Sequence, residues 1–302
     1  MEALKLKYSL NYQQSFSRNI GVITSDEQTK LKNAHIAIAG LGGIGGMTFL
    51  TLVRMGVENF SIADLDTFEI ANLNRQVGSN HANFGRTKVD VMKEEAFKIN
   101  PDVKIKVFPI GINEKNVDEF VCESDLVIDA IEYFSITARE ILQLAAKKHK
   151  KPTLFSAPLG FSATFLAFSK DSMPFDEYFN LKPNLDPAEK VIHFTVGIAP
   201  KGLHRSYMNF NKEQLIQIQT GPSLALAVNL GSSLLCAEAL KFITGKKSVK
   251  VAPYYTQLDL FQGKFVQKKM PWGNHNPLQK LKIYLAKKEY FTCKQDFLKF
   301  IK

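Results

Sequence analysis

Three short runs hold residues whose type and spacing could handle a nucleotide. The run Gly40-Leu-Gly42-Gly43-Ile-Gly45-Gly46 follows the apolar segment AHIAIAG (34 to 40) and opens the apolar stretch Ile44 to Met55. It fits G-x-G-x-x-G at a strand-to-helix turn, and Asp64 closes the next strand-like run, NFSIAD, 24 residues after Gly40. Glycines let the backbone turn tightly and approach a phosphate, helix N-terminal amides favour negative charge, and an acid at the second strand's end accepts ribose hydroxyls. The glycines do not separate a dinucleotide from ATP. No G-x-x-x-x-G-K-[ST] occurs, which excludes a Walker-type loop. The following residues discriminate better: Asp64-Leu-Asp66, Asn72-Leu-Asn74-Arg75-Gln76 and Phe84-Gly85-Arg86-Thr87-Lys88. A bound triphosphate carries about four charges that Arg and Lys donors offset, whereas a dinucleotide dehydrogenase needs few cations here. The set favours ATP.

Elements that could position these groups alternate between residues 34 and 156. Strands are expected at 34–40, near 59–64, at VKIKVFP, at DLVIDA (125 to 130) and at PTLFSA, with helices at 44–55, 87–99 and 137–150 and a short amphipathic segment at 113–121. This predicts an α/β protein with a doubly wound, Rossmann-like sheet, parallel in its first half. After residue 156, GFSATFLAFS alternates as an antiparallel strand, 170–220 reads as an irregular excursion, and a helix starts at Gly221-Pro222 and ends at Gly245. PYYTQLDLF (253 to 261) reads as the final strand. The expected organisation is a helical arm (1–33), a nucleotide-binding half (34–156), a substrate half (157–262) and a lysine-rich helical C-terminal tail (263–302).

With 302 residues, 45% hydrophobic and 23% charged, the chain can bury a sizeable core, which excludes disorder and a stapled mini-protein. From Lys264 onward ten lysines face only Glu289 and Asp296, so most of the net charge of +10 belongs to the tail. Its apolar positions, from Leu281 to Ile301, suggest amphipathic helices. A solvated lysine face over a docking helix is favoured there, with an acidic partner as the functional alternative; nucleic acid and membrane are not favoured. Ser223 to Leu240 contains Asn229, Ser232, Ser233 and Glu238, and reads as a buried helix rather than a membrane span. No export signal is read at the N-terminus, so a cytoplasmic location is expected. Cys122, Cys236 and Cys293 never form C-x-x-C, so neither a disulfide framework nor a four-cysteine zinc site is expected. Cys236 lies in an apolar run and reads as a buried hydrophobe; His193 and His204 read as structural or exposed.

On the glycine loop, the D-x-D, the N-x-x-R-Q, the G-x-x-K approach to Lys88 and the helix GPSLALAVNLGSSLLCAEALKFITG, the chain resembles the ThiF/MoeB/HesA family over roughly residues 15 to 262. These are adenylating relatives of ubiquitin-activating enzymes. The resemblance implies a homodimer that uses ATP and Mg²⁺ to adenylate a C-terminal carboxylate of a ubiquitin-like carrier protein or a peptide. Carried over, Gly40, Gly42, Gly43 and Gly45 cradle the nucleotide, Asp64 with Asp66 beside it serves the ribose end, and Asn72, Arg75 and Lys88 hold phosphates. Arg18 reaches the partner subunit's nucleotide, although Ser15-Phe16-Ser17-Arg18 lacks the first arginine of the family's R-Y-x-R. Glu132, in Asp129-Ala-Ile-Glu132-Tyr133-Phe134, stands where the family has a magnesium-binding aspartate. Family members that transfer the carrier to a thiol keep a cysteine near the excursion, and many keep two zinc-binding C-x-x-C pairs. Residues 157 to 235 contain no cysteine, so neither zinc nor a thioester is expected.

The resulting reading is an ATP-dependent adenylyltransferase in which a substrate carboxylate, already ionised at pH 7, attacks the α-phosphate and pyrophosphate leaves. Catalysis then rests on positioning and charge neutralisation by Arg18, Arg75, Lys88 and a metal on Glu132. The alternatives are a non-catalytic nucleotide-binding scaffold of the same family and an NAD(P)-dependent oxidoreductase.

Overall fold

The structure, a computed structural model, describes residues 11–208 and 221–300, with side chains to residue 290. Residues 11–33, the described part of the expected helical arm, pack against the sheet domain. Helices α1 (Tyr12–Ser15) and α2 (Ser25–Asn33) lead in, and α2 is fixed at its start by a reciprocal Thr24/Glu27 capping box. Ile23 and Leu31 are buried in the main core cluster, so the segment belongs to the domain.

Strands β1 (His35–Ala39), β2 (Asn59–Ala63), β3 (Lys104–Phe108), β4 (Leu126–Asp129) and β5 (Thr153–Leu159) run parallel, as the apolar runs predict. Strands β6 (Ser162–Phe168), β7 (Tyr254–Asp259) and β8 (Lys264–Lys269) continue the sheet antiparallel. The order is β3-β2-β1-β4-β5-β6-β7-β8, a mixed sheet of eight strands. Strand order reverses between β1 and β4, which opens a crevice at their carboxyl ends.

Helices α3 (Gly43–Arg54) and α4 (Lys88–Ile99) pack on one face through Phe49, Leu52, Val89 and Met92. On the other face, α5 (Val117–Cys122) and α6 (Ile136–Lys148) pack through Phe120, Val121 and Leu142.

The second half departs from the sequence reading in three places. The excursion expected to be irregular holds helices α7 (Phe175–Phe179) and α8 (Pro187–Ile198), the latter capped by Asp186 with Pro187 in its first turn. They build a phenylalanine-rich core with the antiparallel strands, including Phe155, Phe168, Phe179 and Phe194. Residues 209–220 of that excursion lie outside the described residues. The next helix, α9 (Ala225–Thr244), begins three residues after Pro222 and ends at Gly245, whose φ of +71° closes it. It buries Val228, Leu235, Cys236 and Ala239, yet leaves Leu226 exposed, so it is a half-covered core helix.

Finally, β7 is not the last strand, because the boundary expected at residue 262 falls inside the β7–β8 hairpin. Phe265 and Val266 are flanked by Lys264, Lys268 and Lys269, and the lysine content hid a strand that sits at the sheet edge, where charged side chains are tolerated. Helix α10 (Pro277–Phe300) follows as a single helix docked on α8, with Ile283 buried and Gln279 donating to the Val196 carbonyl. Side chains beyond residue 290, including Cys293, Phe297 and Leu298, lie outside those described.

Tyr207, within the excursion, is pinned to the sheet by Asp259. Its buried carboxylate accepts hydrogen bonds from Ser162, from the Tyr207 hydroxyl (2.7 Å) and from the Gln262 amide (2.8 Å). Burial alone would raise the Asp259 pKa, but these bonds outweigh it and hold the carboxyl below its ordinary value. Nearby, burial and then Arg205 push His204 down to about 4, and its Nδ1 has no partner among the described residues. The folded chain therefore keeps this imidazole neutral while the unfolded chain protonates it near pH 6.5. Stability should fall as pH drops from about 6.5 towards 4. Urea denaturation of His204→Asn should show a flatter decline over that window than the unsubstituted chain; an unchanged slope would mean that His204 titrates freely.

Candidate functional site

The carboxyl ends of β1 and β4 meet through glycines. Gly40 has φ of +95°, and a Cβ there would lie 2.2 Å from the Ala130 carbonyl oxygen. At Gly45 a Cβ would lie 1.8 Å from the Gly40 carbonyl oxygen and 2.9 Å from Ala130 Cβ. These two glycines allow α3 to start directly on the strand ends. Gly42 differs, since a Cβ there would meet nothing nearer than the Gln76 amide nitrogen at 3.7 Å. The space over Gly42, at the amino end of α3, is where an anionic ligand would meet free helix amides.

Residues 65 to 79 and the approach to α9 wall this space. The Arg75 carbonyl and Val228 of α9 lie against Gly43, and Val77 and Met92 lie against Gly46. The Asn74 amide donates to the Ser223 carbonyl at 2.9 Å and fastens the loop to the start of α9. Gln76 is buried, and its Oε1 has no partner among the described residues, which leaves an acceptor beside the glycine turn. Gln76 is part of N-x-x-R-Q but was not among the expected site residues; only its burial marks it out.

Asp64, Asp66 and Lys88 form one network. Asp64 Oδ2 accepts the Leu41 amide at 2.6 Å and its Oδ1 accepts the Asp66 amide at 2.9 Å, so it tethers the glycine loop. Burial raises its pKa, with Lys88 and the two amides opposing the rise. Lys88 is buried and bridges Asp66 Oδ2 at 2.9 Å, while the Asp66 carboxylate is about half exposed. Asn72 is buried as well, with Oδ1 accepting the Glu69 amide at 3.0 Å, and shapes the loop from which Arg75 projects.

Arg75 is half-buried and donates to the Ala71 carbonyl (2.9 Å) and Asn74 Oδ1 (3.0 Å). Burial lowers its pKa and the charge of Glu132 opposes that, which places the two groups within electrostatic reach. Glu132 is exposed, with Oε2 accepting the Phe134 amide at 2.6 Å. Behind it lies a buried ion pair that the sequence reading missed. Asp129 accepts Arg139 Nε at 3.1 Å on both oxygens and Gln143 Nε2 at 3.0 Å, and Gln143 in turn accepts from Thr153 at 2.8 Å.

The remaining expected residues are elsewhere. Arg18 is exposed, in a segment bonded to the far end of α3: Tyr12 donates to the Gly56 carbonyl and Asn19 to the Met55 carbonyl. Twelve residues of α3 span about 18 Å, so the chain's own glycine turn lies at the opposite end of that helix. Arg86 pairs with Asn83 and Glu94. Cys236 is buried, with its thiol pushed up to about 12 by desolvation, and Cys122 is exposed at the end of α5. His193 is buried against the Phe179 carbonyl, the structural role expected of it.

Comparison with known proteins agrees with this geometry. The model of the ThiF family matches residues 16–280. The tRNA threonylcarbamoyladenosine dehydratase of Haemophilus influenzae is 32% identical over 123 residues, 40% of this chain and 47% of that one. The sulfur carrier protein adenylyltransferase of Thermus thermophilus is 30% identical over 141 residues, 47% of this chain and 51% of that one. The chain thus spans about half the length of these curated relatives. A crystal structure of Escherichia coli MccB with ATP superposes with a TM-score of 0.62, covering 81% of this chain and 66% of that one. At 20% identity this likeness speaks to the fold.

The two kinds of glycine give a test of the turn. Gly45→Ala forces backbone apart and should cost about 3 kcal/mol or more, whereas Gly42→Ala points into open space and should cost about 1 kcal/mol or less. Chemical denaturation of both variants measures the difference; equal losses would contradict this packing.

Proposed function

The chain belongs to the ThiF family, and on that premise we propose that it is an ATP-dependent adenylyltransferase acting on the C-terminal carboxylate of a carrier protein or peptide, or on a small carboxylate. The observation that carries this reading is the network by which Lys88, Asp66 and Asp64 meet the glycine loop at the Leu41 amide, with the Arg75 carbonyl against Gly43 and the charges of Arg75 and Glu132 within electrostatic reach. A dinucleotide would leave two cations and an acid there without a task. Substitution of a carboxylate on the α-phosphate needs no general base, so the side chains' work is to bind, orient and neutralise.

In this reading the α3 amides and Gln76 receive the nucleotide near Gly42. Asp64 keeps the loop closed for the ribose end. Lys88 leaves Asp66 for a phosphate oxygen, and Arg75 exchanges its two neutral acceptors for phosphate. Among the described residues no three acids, histidines or cysteines lie close enough to hold a metal ion by themselves. That fits Mg²⁺, which binds through one or two carboxylates, waters and phosphate oxygens. Glu132 would be its protein ligand, and the ion when bound would supply charge neutralisation at the phosphates.

The dimer is supported by two features. Arg18 sits at the wrong end of α3 for its own nucleotide, and an apolar groove of about 740 Å³ lies between Val22, Met55, Ala237 and Leu240.

Calorimetry should find Mg²⁺-dependent ATP binding and little NAD binding, with Arg75→Ala weakening ATP by about 1.5 to 3 kcal/mol. Carboxylate-dependent exchange of pyrophosphate into ATP should survive replacement of Cys122, Cys236 and Cys293 by serine and be lost in Glu132→Gln. Tight NAD binding without ATP would overturn the reading, and a reducible enzyme–substrate adduct would restore a cysteine acceptor.

For the shared site, sedimentation should report a dimer. Arg18→Ala and Lys88→Ala should each be inactive, and mixing them should recover part of the exchange activity; a fully active Arg18→Ala protein would remove Arg18 from the site.

A further inference from the structure

Arg139 is fully buried, and its guanidinium joins three things that the adenylation reading treats separately. Its Nε lies 3.1 Å from both oxygens of Asp129, at the end of β4. Its Nη2 donates to the Ile131 carbonyl, one residue before Glu132. Its plane lies against the rings of Phe194 (4.5 Å) and Phe155 (5.3 Å), and Phe194 belongs to α8 of the excursion. The Asp129–Glu132 turn is thus held from beneath by a charged fork, and the fork is held by an aromatic face on the substrate side.

Two further contacts tie α8 to the same region. The Tyr133 hydroxyl donates to Thr195 at 2.7 Å, and Lys190 pairs with Glu140 of α6 at 2.7 Å. The turn also touches the nucleotide side, since the Ala130 carbonyl faces Gly40. A displacement of α8 would tilt the Arg139 plane, move the Ile131 carbonyl and swing Glu132 relative to Arg75. A purely structural ion pair would satisfy Asp129 alone; here the second arm of the guanidinium is spent on the backbone of the Glu132 turn.

We infer that Arg139 is a positioning residue of the adenylation site, transmitting the seating of α8 to the Glu132 carboxylate, so that the packing of the excursion also sets the affinity of the magnesium position. This rests on the adenylyltransferase reading. It makes Glu132 a group whose placement depends on the excursion, not on β4 alone.

The test uses the full chain and three variants. Arg139→Lys keeps a charge for Asp129 but cannot reach Asp129 and Ile131 together while stacked on Phe194. Tyr133→Phe leaves Arg139 in place and removes one of the bonds between the turn and α8. Gln143→Met damages the same buried network on the side away from the turn. Calorimetry with ATP, with and without Mg²⁺, is run beside thermal unfolding and pyrophosphate exchange.

Arg139→Lys should leave metal-free ATP affinity within twofold, raise the Mg²⁺ concentration for half-maximal ATP binding three- to tenfold, and lower kcat of exchange with KM for ATP little changed at saturating Mg²⁺. Tyr133→Phe should shift the Mg²⁺ requirement in the same direction, by a smaller factor. Gln143→Met should lower the unfolding temperature without moving it. If all three variants change only the unfolding temperature, or if Gln143→Met shifts the Mg²⁺ requirement as much as Arg139→Lys, the inference is overturned and adenylation stands. An unsubstituted chain that binds no ATP under any Mg²⁺ concentration removes both. Should Arg139→Lys fail to fold, Tyr133→Phe decides: an unchanged Mg²⁺ requirement there overturns the inference.

Discussion

The structure depends on backbone meeting backbone where β1 and β4 end. Side chains at Gly40 and Gly45 would occupy positions already taken by the Ala130 and Gly40 carbonyl oxygens. Because they are absent, α3 starts on the strand ends with its free amides turned to the crevice, and Asp64 can close the loop through the Leu41 amide. Everything that lines the crevice is placed relative to that contact: the loop of Arg75 and Gln76 over α3, Lys88 at the head of α4, and the Glu132 turn next to Ala130. A methyl group at Gly45 would disturb all of them, whereas one at Gly42 would disturb only the space above.

The second half of the sheet is joined to this arrangement by polar groups buried within apolar surroundings. Asp129, Arg139, Gln143 and Thr153 link β4, α6 and β5, with Phe155 and Phe194 on the guanidinium. Asp259 does the corresponding job at the other end, fixing Ser162, Tyr207 and the β7–β8 turn. A buried ion pair contributes little net stability against an apolar replacement, but losing one partner costs about 3 to 5 kcal/mol. Such pairs therefore act as register marks. They make the second half dock in one way, which a phenylalanine-rich core alone would specify less tightly.

How far the sequence disclosed this follows from local signal strength. The glycine turn, Asp64 and the parallel half were readable because their residues are consecutive and their pattern repeats. Arg139 was not, since its ten-residue separation from Asp129 becomes a contact only once α6 folds back over β4. Helix α8 was hidden by prolines at 183, 187 and 200, although Asp186-Pro187 is itself a helix start. Strand β8 was hidden by its lysines, because edge position relaxes the apolar requirement on which strand reading relies. For Arg18 the sequence offered only a motif match, and its distance from the glycine turn emerges from the packing of Tyr12 and Asn19 on the far end of α3.

The crevice's cations are all provisionally engaged, and the nature of their partners indicates how a triphosphate could displace them. Lys88 is buried and its ammonium needs a counter-charge; Asp66 supplies one from a half-exposed position. A partner so open to water contributes on the order of 1 kcal/mol or less, while a charge-assisted contact to phosphate contributes about 1.5 to 3 kcal/mol. On the adenylation reading, the exchange from carboxylate to phosphate would therefore run downhill. Arg75 gives up two neutral oxygens, a smaller loss still. Glu132, like Asp64 and Asp66, opposes the incoming ligand in sign, and its second oxygen would repel a phosphate unless a cation lay between them. On the adenylation reading, that repulsion is what would make the site require magnesium rather than merely tolerate it: the two cations would draw the nucleotide in, and the acid would make productive seating conditional on the metal.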